Sequence, residues 1–182
     1  MLTFRGRNAP RMESVRVQVA GRRIKATGRI VGGDCAEHSA FSASYDLVTD
    51  ESGVTRRLSL RTSVAGGERH TSIQRDTEGY WLVGDGESRL RSRFGGALDV
   101  DVVLSSFFNA LPIRRLGLHT GGAGGVLPVV YVYLPDLTVR EADLTYTVAA
   151  AGLHVQSPVA SSTLTVDSDG FVTDYEGLAT RI

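Results

Sequence analysis

Cysteine is nearly missing from this chain. Cys35 is the single thiol in 182 residues, so neither an intramolecular disulfide nor a thiolate metal cluster can form. Net charge is missing too, because 20 acidic residues balance 20 basic ones. That balance removes the electrostatic footprint expected of a nucleic-acid binder or a binder of anionic membranes. No long Lys/Arg run supports a local basic patch. Lys25 is the only lysine, and the arginine bias reads as genomic base composition. No apolar run approaches the ~18–20 residues that cross a bilayer as a helix. The N-terminal MLTFRGRNAPRME also lacks the apolar core of a signal peptide, so the expected compartment is the cytoplasm.

Glycine, by contrast, is abundant: 21 residues, about 12% against a usual ~7%. At 42% apolar and 22% charged, the composition is that of an ordinary globular protein. The length suits one domain over residues 1–182 with a real core.

Period-two patterning dominates. Val15, Val17 and Val19 alternate with polar residues, as do Ile24, Ala26, Gly28 and Ile30, and then Phe41, Ala43, Tyr45 and Leu47. Val54, Arg56, Leu58, Leu60, Thr62 and Val64 form another row. Leu98, Val100 and Val102, then Leu144, Tyr146 and Val148, then Leu164 and Val166 follow. Such alternation predicts strands with one buried face. Ser52-Gly53, Gly66-Gly67, Glu78-Gly79, Asp85-Gly86, Gly95-Gly96 and Asp169-Gly170 punctuate them as turns. Many short strands without long helices between them predict an all-β antiparallel fold.

Two segments break the rule. Leu104, Phe107, Phe108 and Leu111 fall at helical spacing, with Ser105 or Ser106 as cap and Pro112 as terminator. This predicts one short helix near 105–111. Residues 126–134, VLPVVYVYL, are apolar on both parities, so both faces of that strand must be covered. A strongly curved sheet or barrel-like single domain, plugged by the Phe107/Phe108 helix, satisfies both.

Chemistry-bearing residues are sparse. His38, His70, His119 and His154 are scattered without metal-site spacing, and no cofactor or metal is expected. The GGAGG run at 121–125 lacks the Lys-Ser/Thr of a phosphate loop and reads as a hairpin or lid loop. With Leu98, Val100 and Val102 facing the core, Asp99 and Asp101 share the opposite face, about 6.6–6.8 Å apart. That spacing overlaps the ~6.5–9.5 Å of inverting glycosidase carboxylates, as any Asp-x-Asp strand would. Arg114 and Arg115 follow the expected helix. In an extended chain one of them turns inward, where Asp99 or Asp101 would pair with it, or where it would hold a ligand's anionic or hydroxyl group. Trp81, Phe107, Phe108, Tyr131 and Tyr133 belong either to the core or to the lining of an apolar cavity.

Gly96-Ala-Leu-Asp-Val-Asp-Val102, followed by Asn109-Ala-Leu-Pro-Ile-Arg-Arg-Leu116, resembles the central signature of the bacterial putative glycolipid-binding family. The stretch from Val166 to Leu178 is similar to that family's closing motif. Gly79-Tyr-Trp81 and Thr55-Arg-Arg-Leu58 match in kind and order. Ala110 and Glu176 depart from it, standing where Thr and Pro are usual. The resemblance spans nearly the whole chain. It implies an antiparallel β fold comparable to lipoprotein-localisation factors and mycobacterial glycolipid carriers, which hold acyl chains in the concavity of a curved sheet closed by helices.

The expected function is therefore non-enzymatic binding or carriage of a lipid, glycolipid or other amphiphile. Phe107, Phe108, Tyr131, Tyr133 and Trp81 would line its cavity, and Asp99, Asp101, Asn109, Arg114 and Arg115 would meet the head group. Two rivals stand beside it: an enzyme using Asp99/Asp101 as acid and base, and a structural domain whose second apolar face is a homo-oligomer interface.

Overall fold

A computed structural model describes residues 1–36, 38–84, 89–150 and 152–182. The predicted Asp85-Gly86 turn lies outside them. The first half of the chain forms β1 (Leu2–Gly6), β2 (Arg11–Ala20), β3 (Arg23–Gly32), β4 (Phe41–Thr49), β5 (Thr55–Val64), β6 (Gly67–Arg75), β7 (Trp81–Gly84) and β8 (Arg89–Ser92). The second half forms β9 (Asp99–Val102), the helix α1 (Ala110–Leu116), β10 (Gly125–Tyr133), β11 (Thr138–Ala149), β12 (Gly152–Gln156), β13 (Ser161–Val166), β14 (Val172–Tyr175) and β15 (Ala179–Arg181).

All fifteen strands join one sheet. Its order runs from β8 down to β1, then β15 back to β9, so the two chain ends meet at the β1–β15 pair. Neighbours are antiparallel except β9 and β10, which are parallel. A parallel pair needs a crossover rather than a hairpin, and α1 lies in that crossover.

The sheet curls without closing. Its two edges, β8 and β9, are linked by residues 93–98 alone. Leu98 O accepts from the Thr55 amide at 3.0 Å, Ala97 O from Trp81 Nε1 at 3.0 Å, and Pro135 O from Thr62 Oγ1 at 2.8 Å. These bonds draw the β9–β10 edge against β5 and β7. Val100, Val102, Val130 and Val132 are fully buried there. Val129, Val130, Tyr131 and Val132 of β10 are thus covered on both faces within one chain, as the doubly apolar pattern there demands, whereas Val126 at the start of the strand stays exposed.

Strand-by-strand register identifies the inner face. Asp101 pairs with Tyr131, Leu164 with Tyr175, Phe4 with Glu13, and Gly28 with Tyr45. Asp99 and Asp101 therefore point into the concavity, not away from the core as expected from Val100 and Val102. The reason is that β9 is buried on both faces, so its apolar row does not mark the only interior side.

Two further expectations shift. In β5 the buried row is Thr55, then Leu58, Leu60 and Thr62, and Val54 and Arg56 lie off it. A bulge between Val48 and Thr49 on the partner register reverses the parity. The helix begins at Ala110, not near 105, and Pro112 sits in its first turn. Proline is tolerated there because first-turn amides have no intrahelical acceptor to lose. Residues 103–109 turn instead, with Leu104 at φ 72°. The GGAGG run is likewise no hairpin but the link from the end of the helix to β10. A Cβ on Gly124 would sit 2.1 Å from Tyr146 O.

Candidate functional site

Three carboxyl groups lie inside the concavity. Asp99 is bound by Arg115, whose Nη2 lies 2.5 Å and Nε 3.2 Å from Oδ2. Arg114 and Arg115 are both in the last turn of α1 rather than on an extended segment after it. Arg114 turns away from the acids, donates to the carbonyls of Asp169 and Gly21, and places its guanidinium 4.8 Å from the Phe171 ring centre.

Glu13, on β2, was not singled out in the sequence. It accepts from Tyr45 Oη at 2.8 Å, Ser105 Oγ at 2.6 Å and the Ser106 amide at 2.8 Å. The Tyr45 ring reaches it by lying across Gly28, where a Cβ would stand 2.2 Å from the ring. Only glycine leaves that path open. Glu13 is in phase with Val15, so a strand reading begun two residues earlier would have exposed an acid on an apolar row.

Asp101 is the least satisfied of the three. Its Oδ1 accepts from the Val102 amide at 2.9 Å. Burial pushes its pKa up to about 7, against that hydrogen bond, and the Glu13 and Asp99 carboxylates push the same way. Burial also raises Glu13 and Asp99, opposed by their hydrogen bonds and, for Asp99, by Arg115. Tyr131, Tyr146 and Tyr175 surround Asp101, and all three phenols are raised, first by burial and next by Asp101 itself. Tyr146 Oη donates to Asn109 Oδ1 at 2.6 Å, holding the residue before α1.

The aromatic candidates pack as core. Phe107 and Phe108 lie against Tyr45, and Phe107 stacks on Phe171 at 6.4 Å between centres. Phe107, Phe108 and Tyr131 are at most 2% exposed, so almost no water-sized space touches these rings. Trp81 is wholly buried, and its indole N–H pins the link into β9. The structure thus gathers Asp99, Asp101, Asn109, Arg115 and Tyr131 in a packed interior. It leaves Arg114 and Trp81 outside that group.

A groove of about 610 Å³ opens where the β5–β6 and β10–β11 turns face each other. Its walls include Val64, Tyr133, Leu134 and Pro135, with Arg69 and Arg140 as polar members. Tyr133 is the one sequence candidate on it, and its ring meets Tyr131 edge-on at 5.2 Å. The groove therefore abuts the interior cluster through two tyrosines in edge-to-face contact. Among the described residues, no three His, Cys, Asp or Glu side chains gather to hold a metal ion. Among the same residues, no helix is long and apolar enough to cross a membrane.

Fold and interior together define an all-β protein built on one rolled sheet around a short helical plug. The chain belongs to the family described as "Putative glycolipid-binding", whose pattern matches residues 1–181. A solved structure of a DUF1089 family protein from Pseudomonas aeruginosa is similar to it, with 26% identity and a TM-score of 0.75 over 98% of this chain and 95% of that one. Comparison with the curated proteins finds no match.

Proposed function

We propose that the protein binds an amphiphile, a lipid or glycolipid, without catalysing its conversion, and that the groove at the mouth of the rolled sheet receives it. One observation carries this reading: a cavity of about 610 Å³ combines an apolar wall with guanidinium groups. Sites for small ligands commonly enclose ~300–1,000 Å³ with that mixture of surfaces. The family description agrees with it. The packing of Phe107, Phe108 and Tyr131 argues for the mouth rather than the space beneath the plug as the place of first contact. Native mass spectrometry after incubation with a lipid extract tests it. The wild type should retain an amphiphile adduct that Ala65→Trp, which narrows the groove, loses. Wild-type protein that emerges without adduct would sink the reading.

A second reading, an enzyme acting on an amphiphilic substrate, has Asp101 in its favour. Asp99 is occupied by Arg115, whereas Asp101 is desolvated, raised to about 7 and still 8% accessible. An acid poised near neutrality suits proton transfer. Release of product from octyl esters or octyl glycosides, lost in Asp101→Asn, would favour it. An absence of turnover on both classes would count against it.

A further inference from the structure

We infer that the groove selects an amphiphile with an anionic head group, an inference that rests on the groove being the binding site. The argument begins with strand parity. Arg69 on β6 stands opposite Thr62 and in phase with Thr71 and Ile73, both buried. Arg140 on β11 stands opposite Tyr131 and in phase with Leu144 and Tyr146, also buried. Carried strand by strand around the sheet, the register puts both arginines on the concave face. Each ends an inward-facing row where the roll opens to solvent.

Charges buried on an inward row are normally paired, whereas one at the open end of the row can stay free for a ligand. Elsewhere in this protein they are paired: Arg115, reaching in from α1, holds Asp99, and Arg181, in phase with buried Ala179, holds Asp167. Arg69 and Arg140 make no hydrogen bond, ion pair or ring contact among the described residues. Asp136 is the one acid on the groove among those residues, and it already accepts from the Thr138 amide at 3.2 Å and Thr138 Oγ1 at 2.9 Å. Two guanidinium groups less one carboxylate leave the groove one positive charge in a chain whose net charge is zero.

A guanidinium is a planar donor fork that matches phosphate, sulfate and carboxylate oxygens in pairs. Two unpaired forks beside the Val64, Tyr133 and Leu134 wall fit a molecule with such a head and an alkyl tail. The electrostatic selectivity is local, and composition conceals it.

Isothermal titration with octyl phosphate, octyl glucoside and inorganic phosphate, each below any micelle-forming concentration, tests the inference. The wild type should bind octyl phosphate at least about tenfold more tightly than octyl glucoside, and inorganic phosphate more weakly than octyl phosphate. Arg69→Gln with Arg140→Gln should bring octyl phosphate down to the octyl glucoside level. Both side chains are exposed, so the melting temperature should hold. Equal wild-type affinity for the two octyl compounds overturns the anionic preference and leaves amphiphile binding standing. A preference that survives in the double variant overturns the assignment to these arginines. Inorganic phosphate bound as tightly as octyl phosphate overturns the role of the tail. Failure to bind either octyl compound overturns amphiphile binding itself.

Discussion

Each buried carboxyl group in this protein meets desolvation differently. Asp99 meets it with a guanidinium, Glu13 with two hydroxyls and a backbone amide, and Asp101 with a single backbone amide from its neighbour. Asp101 accordingly rises to about 7 from an ordinary 3.8. An acid raised by folding keeps its proton in the native chain after the unfolded chain has lost it. The contribution of Asp101 to stability is therefore full below 3.8, falls as the pH climbs to about 7, then levels off. Urea titrations across that window should show the decline, and Asp101→Asn should reduce it, with the raised Glu13 and Asp99 carrying the remainder. A slope left unchanged in the variant would show that Asp101 does not carry the proton. In the sequence, Asp99 and Asp101 were visible as a pair, but their different fates were not. What separates them is Arg115, placed by the helix and not by the strand.

At the scale of elements, α1 is a short helix held chiefly by what surrounds it. Seven residues are too few for a helix to persist on propensity alone. The rings of Phe107 and Phe108, buried just ahead of it, contribute about 1.5–3 kcal/mol each. Arg115 fastens its far end to Asp99. Arg115→Met should cost about 3–5 kcal/mol, because it strands a buried carboxylate, and adding Asp99→Leu should recover much of that loss. Chemical denaturation of both variants decides. Equal destabilisation by the single and double changes would contradict an ion pair dominated by desolvation.

The strands with one wet face were legible from alternation. Every inward residue expected in β3, and every one expected in β4, is buried. Where both faces are covered, as in β9, alternation still groups Asp99 with Asp101 opposite Val100 and Val102 but no longer says which face is interior. A bulge hid the parity of β5. The i, i+3, i+4, i+7 spacing at 104–111 marked the plug correctly but not its backbone, since turns can also gather Phe107 and Phe108 on one side.

As a whole molecule, the protein is one sheet wound until its β9–β10 edge rests on β5 and β7, with the plug inside and a groove at the open end. Alternation and glycine turns pointed to the all-β class, and the doubly apolar strand at 126–134 with the stripe at 104–111 pointed to its curvature. The groove was not legible, because its arginines come from turn-proximal positions of β6 and β11, 71 residues apart in sequence (140 − 69), and only the roll brings them together. The Arg69 row with Thr71 and Ile73 held the available signal: a charge in phase with buried residues.

The central claim is that ligand enters at this mouth. Backbone amide NMR during titration with octyl phosphate tests it most directly. The account predicts saturable shifts concentrated at His38–Ser39, residues 64–69 and residues 133–140, with smaller changes reaching Asp101 through Tyr131. Shifts confined to the outer face around Lys25, Asp46 and His70, or no saturable shift at all, would contradict it.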